Sequence, residues 1–444
     1  MVKKSKIAIL AGGFGTRLNS LRPDLPKPMF PINGKPLLLH QVLECKRYGF
    51  LDITMFLCHQ HDLIRDFFED GSEYSLNINY VVEDEPRGTA GAVIGGIDYL
   101  DDDFILICGD TYFQINLSKF YKFHIENKPN ISIFTHPNNH PYDSDIIIND
   151  KQDNIIEIVP YPHDNKVLPN LVSSGLYAIN RDSLFQYRND NQNTDLSKNL
   201  IPFFLNQPQK SLSYRSVEYI KDMGTPQRLD MVKNDILNKK PEILSDSVKR
   251  KAIFIDRDGT LIKEKGYITK REQIKLYPFS SEAIRKINDS GYLCIVITNQ
   301  PVIARGDITV DELNDLHNFI DTSLGESGAY LDDIFYCPHH PDKGFDGEIP
   351  ELKIICQCRK PGTKLIDDAI KKYNISTEDS WMIGDHTRDI LAGSNVGLST
   401  ILVKTGHAGK DKKYVIEPTN ITDNLSSAVN IIMDINSSNN HRDY

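Results

Sequence analysis

The sequence predicts an α/β protein built of two doubly wound, Rossmann-like units. Three observations predict it. Short apolar runs alternate with helical stretches along the whole chain, the pattern of repeated βαβ connections. A length of 444 residues is more than one ordinary core serves. A polar, charged stretch separates two such alternations, which divides the chain into units 1–238 and 251–444 joined by a linker at 239–250.

The composition, 40% hydrophobic and 25% charged, is that of a globular protein. A net charge of -10 argues against non-specific nucleic-acid binding, but local Arg and Lys can still hold small anions. The apolar part of Met1-Val-Lys-Lys-Ser-Lys-Ile-Ala-Ile-Leu10 ends at Gly12, too soon for a signal-peptide core. No later run approaches the ~18 apolar residues of a membrane span. The expectation is a cytoplasmic protein with no nucleic-acid and no membrane partner; homo-oligomerisation stays open. Cysteines number seven, and three crowd between Cys337 and Cys358, which in a reducing compartment favours metal over disulfide.

In the first unit, strand Ile7–Leu10 runs into the loop Ala11-Gly-Gly-Phe-Gly-Thr-Arg-Leu18. Glycines let backbone N–H groups approach a phosphate, and Arg17 adds charge. The loop lacks the Gly-Lys-Ser/Thr ending of a Walker loop, and Leu18 stands where a dinucleotide fingerprint needs a small residue. By itself it reads equally as a turn. Lys27 follows between two prolines that restrict its backbone. A helix over 37–48 and strands at 53–57, 78–82 and 104–108 complete an α/β unit with a largely parallel sheet. Asp110 ends the last of these strands, where an acid alone would read as a cap.

Taken in order, Leu10-Ala-Gly-Gly-Phe-Gly-Thr-Arg-Leu18, Pro26-Lys-Pro28, Glu85-Pro-Arg-Gly-Thr-Ala-Gly-Ala92, Gly109-Asp110 and Asp222-Met-Gly-Thr-Pro226 resemble the sugar-1-phosphate nucleotidylyltransferases. The resemblance implies that Ala11, Gly12, Gly13, Gly15 and Thr16 hold a nucleoside triphosphate. It implies that Gly88, Thr89 and Ala90 line the base pocket and that Gly109 and Gly175 meet the substrates. Arg17 and Lys27 would neutralise the reacting phosphates, and Asp110 and Asp222 would hold Mg²⁺. The chemistry suits these residue types: a sugar phosphate oxygen attacks the α-phosphate and pyrophosphate leaves, so cations must bring two anions together. The sequence departs from the family at two places. Ser173-Ser-Gly175 replaces an Asn-led sugar contact, and Ile156-Glu-Ile-Val-Pro-Tyr-Pro162 lacks a sugar-phosphate lysine, with Lys166 close by. The unit is predicted to close on a helix over 233–240, and no hexapeptide repeat follows.

The second unit opens on Ala252-Ile-Phe-Ile-Asp-Arg-Asp-Gly-Thr-Leu261, a buried strand that delivers Asp256 and Asp258 to its tip. Helices over 280–290, 309–324 and 364–373 alternate with strands at 293–297, 333–337, 381–384 and 399–403. Thr298 and Asp385 end two of these strands, where open α/β sheets place their sites. The tail from Asn436 to Tyr444 is polar and is expected to be disordered.

Asp256-x-Asp258-Gly-Thr260, Thr298, Lys360 and Gly384-Asp385 resemble the haloacid dehalogenase superfamily. The resemblance implies that Asp256 is a nucleophile taking a phosphoryl group and that Asp258 is its general acid and base. Asp256, Asp258 through its backbone, and Asp385 would bind Mg²⁺. Thr298 and Lys360 would hold the phosphoryl oxygens, with Asn299, Arg305 and Arg359 on the substrate. Cys337-Pro-His-His340 and Cys356-Gln-Cys358 suit a closed tetrahedral Zn²⁺ site. The resemblance selects His339 beside Cys337, Cys356 and Cys358, and His340 competes. This loop, with Thr298-Asn-Gln and Ile303-Ala-Arg-Gly306, is similar to heptose 1,7-bisphosphate 7-phosphatases and histidinol phosphatases. Pro301-Val302 and His386 depart from the usual pattern, which has Ser-Gly and often lysine at those places.

The fusion favours the heptose reading. Removal of a 7-phosphate leaves a heptose 1-phosphate, the substrate class of the first unit, whereas histidinol has no anomeric phosphate. The expected protein is bifunctional: it dephosphorylates D-glycero-α-D-manno-heptose 1,7-bisphosphate and joins the product to a nucleotide, GTP being the donor. Two other readings stand beside it. One is a mannose-1-phosphate guanylyltransferase fused to another sugar phosphatase; the other is a sugar-nucleotide sensor with one inactive unit.

Overall fold

The computed structural model of the protein describes residues 4–13, 22, 24–163, 166–187 and 193–440. It divides into one unit of Met1–His136, Ser144–His163 and Leu171–Ser245, and a second of Pro137–Asp143, Asp164–Asn170 and Asp246–Tyr444. Among the described residues no helix is long and apolar enough to cross a membrane.

The first unit contains β1 (Ser5–Leu10), the short pair β2 (Pro31–Ile32) and β3 (Lys35–Pro36), β4 (Asp52–Leu57), β5 (Asn77–Val82), β6 (Leu100–Cys108), β7 (Thr111–Gln114), β8 (Ile131–His136), β9 (Ile146–Asn149), β10 (Ile155–Val159), β11 (Val172–Asn180), β12 (Ser211–Arg215) and β13 (Tyr219–Asp222). Its main sheet runs β10-β9-β11-β6-β1-β4-β5, with β8 on β11 and β12 on β8. The strands are apolar on both faces because both faces are covered. Successive side chains point to opposite sides, so Ile7, Ile9, Ile105 and Ile107 enter one core. Ala8, Phe104 and Leu106 enter the other.

β1, β4, β5 and β6 are parallel, as the alternation predicts. The other half corrects the expectation of a largely parallel sheet: β11 is antiparallel to β6 and β8, and β9 to β10. Strands β8 to β11 follow one another without an intervening α-helix, and only a crossover would turn the chain to make them parallel. The chain leaves β1 towards β4 and later returns to its other side as β6, which opens a crevice at the ends of β1 and β6. Gly109 lets those ends meet, since a Cβ there would lie 2.6 Å from the Leu10 carbonyl oxygen.

The second unit contains β14 (Ala252–Ile255), β15 (Leu293–Asn299), β16 (Asp333–Cys337), β17 (Trp381–Gly384), β18 (Ser399–Val403) and β19 (Asn420–Thr422). They form an all-parallel sheet in the order β16-β15-β14-β17-β18-β19. The order in which strands are added reverses between β14 and β17, so the tips of those two strands share a crevice. Helix Val310–Gly325 shows how sequence sets an element here. Thr309 and Glu312 cap each other's backbone N–H groups at its start. Leu313, Leu316, Ile320 and Leu324 then recur on the face turned to the core.

Three further expectations change. The helix predicted over 233–240 spans Pro226–Leu237, because Thr225 caps it and Pro226 suits its first turn. The stretch 239–250, read as a linker, carries a helical turn Lys240–Ile243, and Pro241, Leu244 and Arg250 are buried. The tail is helical to Asn440: helix Leu425–Asn440 is anchored by Leu425, Ala428, Val429 and Ile432 in the core and extends through Ser437 and Ser438. Their hydroxyls bond back to the carbonyls of Met433 and Asp434.

Helix Leu37–Arg47 turns one acid inward. Burial pushes the Glu44 carboxyl up to about 7, with Arg47 only partly offsetting it. A folded-state value above the unfolded one means that stability is full below pH 4.5 and is lost as pH rises through 7. Glu44→Gln is therefore expected to raise stability by about 1–3 kcal/mol at pH 8 and by much less at pH 5. Urea unfolding at the two pH values checks this; an equal effect at both refutes it.

Candidate active sites

In the first unit, the crevice between β1 and β6 holds a cavity of about 400 Å³. Gly12, Gly13, Lys27, Gly88, Thr89, Gly109 and Asp110 line it, together with Phe56, Cys58, Glu83 and Gly224. Lys27 is buried, and its Nζ lies 2.5 Å from Asp110 Oδ2. Behind Asp110, buried Gln41 donates to the carbonyls of Cys108 and Thr111 and fixes the turn. The Asp222 carboxylate, at the end of β13, accepts two bonds from Arg228 Nη1 and one from the Gly224 N–H. The cavity thus joins glycine backbone, a lysine and a carboxylate, parts that can hold a polyphosphate and a hard cation.

In the second unit, Asp256 at the tip of β14, Asp385 at the tip of β17 and Asp389 one helical turn later place carboxylate oxygens within 4.8 Å of one another, all buried. Lys360 is buried with them. Its Nζ lies 2.5 Å from Asp256 Oδ1 and 2.8 Å from Asp389 Oδ1, and it donates to the Ile297 carbonyl at 2.6 Å. Gly259 is required here: with φ of +86°, it lies so close to Asp385 that a Cβ would meet Oδ2 at 2.4 Å.

Three buried acids face two cations, Lys360 and Arg388, so negative charge is in excess. Burial, then Asp389, Asp385 and Asp258, push the Asp256 carboxyl up to about 7 against the pull of Lys360. Burial works against the Lys360 charge as well, but Asp256 and Asp389 outweigh it and hold its pKa above the usual value. Three close carboxylates suit a hard divalent cation such as Mg²⁺, which would offset that excess and let Asp256 ionise.

The Asp258 carboxylate is held apart from this cluster. Arg257, fully buried, forks onto it through Nε and Nη2 at 3.0 Å each, and Gln300 Nε2 donates to it at 2.9 Å. The same Gln300 nitrogen donates to Thr298 Oγ1 at 2.8 Å. Farther along, Cys337, His339, Cys356 and Cys358 converge. His339 Nδ1 is 3.1 Å from Cys358 Sγ, and the three sulfurs are 3.2–3.6 Å apart. Those spacings are near the edges of a tetrahedral thiolate–imidazole site. The competing His340 instead accepts from the Asp342 N–H at 3.2 Å.

The nucleotidyl transferase family profile matches residues 6–239, and a HAD-hydrolase-like profile matches 357–428. A D-glycero-beta-D-manno-heptose-1,7-bisphosphate 7-phosphatase of Pasteurella multocida is 41% identical over 38% of this chain and 92% of its own length. The corresponding alpha enzyme of Photorhabdus laumondii is 42% identical over 36% of this chain and 85% of its own. The chain belongs to the nucleotidyl transferase family in its first half and to the family of these phosphatases in its second. Among solved structures, HddC from Yersinia pseudotuberculosis complexed with GMP-PN is 24% identical over 52% of this chain and 99% of that one, with a TM-score of 0.46.

Not every residue singled out in the sequence falls in these two sites. In the transferase unit, Gly15, Thr16 and Arg17 lie outside the described residues. Ala11 and Ala90 are buried beside the cavity, their N–H groups bonded to Phe56 and Thr194. Gly175 packs on Cys108, a cavity residue. Lys166 is exposed and falls in the second unit, not in the unit that holds the cavity. In the phosphatase unit, Asn299 faces a backbone: its side chain accepts from the Lys360 N–H at 2.9 Å and donates to the Lys360 carbonyl at 3.2 Å. Arg305 lies between the rings of Tyr267 and Phe345, 4.2 and 4.3 Å from their centroids, and pairs with Asp307. Arg359 donates to the His339 carbonyl at 3.2 Å, tying the cysteine loop to the residue before Lys360.

Asp389 was legible in principle, since Asp385 and Asp389 are spaced by four residues at a strand-to-helix junction. Gln300 stands in the Thr298-Asn-Gln motif, whereas Arg257 and Gln41 carry no comparable local pattern. Replacing Asp389 by asparagine in the phosphatase unit is expected to lower phosphate release about 10–100-fold, because Lys360 and the cation site lose a charged partner. Activity within threefold of the parent, in a protein that melts normally, would show that Asp389 is not part of the site.

Proposed function

We propose that the two units perform consecutive steps toward a nucleotide-activated heptose. The phosphatase unit removes the 7-phosphate of D-glycero-α-D-manno-heptose 1,7-bisphosphate. The transferase unit then joins the heptose 1-phosphate to GMP from GTP and releases pyrophosphate. One observation carries this reading: a chain related over its second half to heptose bisphosphate phosphatases has a nucleotidyl transferase for its first half. The product of one is a sugar carrying the anomeric phosphate that the other needs. The relatives include enzymes named for either anomer, so the α-anomer and the guanine base rest on the order of the proposed steps.

In the phosphatase step, Asp256 Oδ attacks phosphorus and the bond to the sugar C7 oxygen breaks. Asp258 turns from Arg257, takes up a proton from solvent and gives it to that oxygen, then takes a proton from the water that hydrolyses the aspartyl phosphate. Lys360 and Thr298 hold the phosphoryl oxygens, and Asp389 keeps Lys360 in place. Asp256, Asp385 and the backbone at Asp258 would hold Mg²⁺, which would neutralise charge between carboxylate and phosphate. In the transferase step, the sugar phosphate oxygen attacks the α-phosphate in the cavity at the ends of β1 and β6. The glycine backbone and Lys27 hold the triphosphate there, and Asp110 and Asp222 are the acids for Mg²⁺. Lys27 and Arg228 now occupy those two acids and would share them with the cation.

Incubation with each anomer of the bisphosphate, each nucleoside triphosphate and Mg²⁺, following phosphate and pyrophosphate, tests the whole reading. Release of both with the α-anomer and GTP is expected; phosphate without pyrophosphate under every combination rejects the second step. Asp256→Asn should abolish phosphate release and leave nucleotidyl transfer from heptose 1-phosphate within about twofold, as expected of sites with no shared partner. Loss of both would show that the units do not act independently.

We also propose that Cys337, His339, Cys356 and Cys358 hold a structural Zn²⁺. Cys356 and Cys358 end a loop that leads directly into Arg359 and Lys360, so the metal would set the position of Lys360. Cys358→Ser is expected to lose zinc and at least about tenfold of phosphatase activity together. Full activity in zinc-free protein would refute the link.

A further inference from the structure

Asp385 has a second set of neighbours that the phosphatase chemistry does not use. His386 Nδ1 lies 2.8 Å from Asp385 Oδ1. The His407 ring packs on that of His386, their centroids 4.0 Å apart. His407 Nε2 is 3.9 Å from Glu264 Oε2. Ligand atoms of Asp385, His386 and His407 all lie within 4.8 Å of one another. His386 is buried, whereas His407 is exposed and can close on an ion with little cost. Arg388 Nη2, 3.3 Å from His386 Nε2, disfavours a cation on that nitrogen and leaves Nδ1, the one facing Asp385.

The donor set decides the class of ion. Two imidazoles and two carboxylates suit a borderline cation bound at ~2.0–2.2 Å, and not Mg²⁺, which prefers oxygen alone. The carboxylates Asp256, Asp385 and Asp389 make the opposite choice. Asp385 belongs to both sets, so an ion held in one changes what its carboxylate offers the other.

We propose that Asp385, His386 and His407, completed by Glu264, form a seat for a divalent cation of the zinc class, and that filling it draws Asp385 from the carboxylate cluster and inhibits the phosphatase. The inhibition rests on the phosphatase reading of that cluster; the seat does not. The seat is distinct from the Cys337–Cys358 cluster, whose sulfurs belong to a closed set.

The test uses the full chain with Mg²⁺ saturating and free Zn²⁺ set by a chelator buffer. Zinc per chain and phosphate release from the bisphosphate are read together in the parent, His407→Asn and Glu264→Gln. The His407 N–H that donates to Asp385 Oδ2 at 2.6 Å is backbone, so His407→Asn keeps it and should keep basal activity. The parent is expected to bind one zinc more than His407→Asn at the same free zinc. Its phosphatase should be inhibited as that ion binds, with a midpoint at least about tenfold lower than in either variant. Equal zinc per chain in parent and His407→Asn overturns the seat. A zinc difference with identical inhibition midpoints overturns the inhibitory role and assigns the effect to the carboxylate cluster. If the phosphatase reading itself fails, no protein releases phosphate, yet the zinc difference still supports the seat.

Discussion

Lys360 places a buried ammonium between Asp256 and Asp389, and much of the second unit is arranged so that it can. Removing one partner of such a buried pair typically costs about 3–5 kcal/mol, because the other charge is left without water or a counterion. The chain therefore fixes Lys360 from several sides. Asn299 grips its backbone in both directions, the Ile297 carbonyl accepts from its Nζ, and Arg359 ties the preceding residue to the cysteine loop. None of this would hold without the parallel pairing of β14, β15 and β17, which brings Asp256, Ile297 and Asp385 to one edge.

The first unit solves a similar problem at the same kind of place. Lys27 lies on Asp110 at 2.5 Å, at the ends of β1 and β6, where the sheet reverses its winding. In both units the lysine comes from a loop constrained by proline, Pro26 and Pro28 in one and Pro361 in the other. A fixed backbone spends little entropy in holding a long, flexible side chain on target. Both crevices collect anionic groups and cations at strand ends. That suits a pair of reactions on phosphates and is consistent with the proposed pathway, in which the second unit acts before the first.

The Asp258 carboxylate shows how far position in sequence can mislead. It stands two residues from Asp256 on an extended chain, and strand alternation alone would put both acids on one face. Instead the strand ends at Ile255, the chain turns from Arg257 onward, and the fork of Arg257 holds Asp258 beside Gln300. Asp389, 133 residues after Asp256 in the chain, takes the place beside it. Asn299 and Arg305, which the motif points at substrate, also serve the fold: one holds backbone and the other lies between two rings.

By itself the sequence determined the α/β class, the order of most strands and helices, and the motif residues, among them Lys27, Asp110, Asp256, Lys360 and Asp385. These depend on local periodicity and on loops whose residue types are dictated by short-range geometry. It also determined that Cys337, Cys356 and Cys358 stand close enough in the chain to meet. Only the tertiary structure decided the antiparallel half of the first sheet, the pairing of Asp389 with Lys360 and the contact of His386 with His407. Each of these depends on which strands become neighbours and which side chain a neighbour leaves room for. That is a property of the packed interior, and no window of sequence contains it.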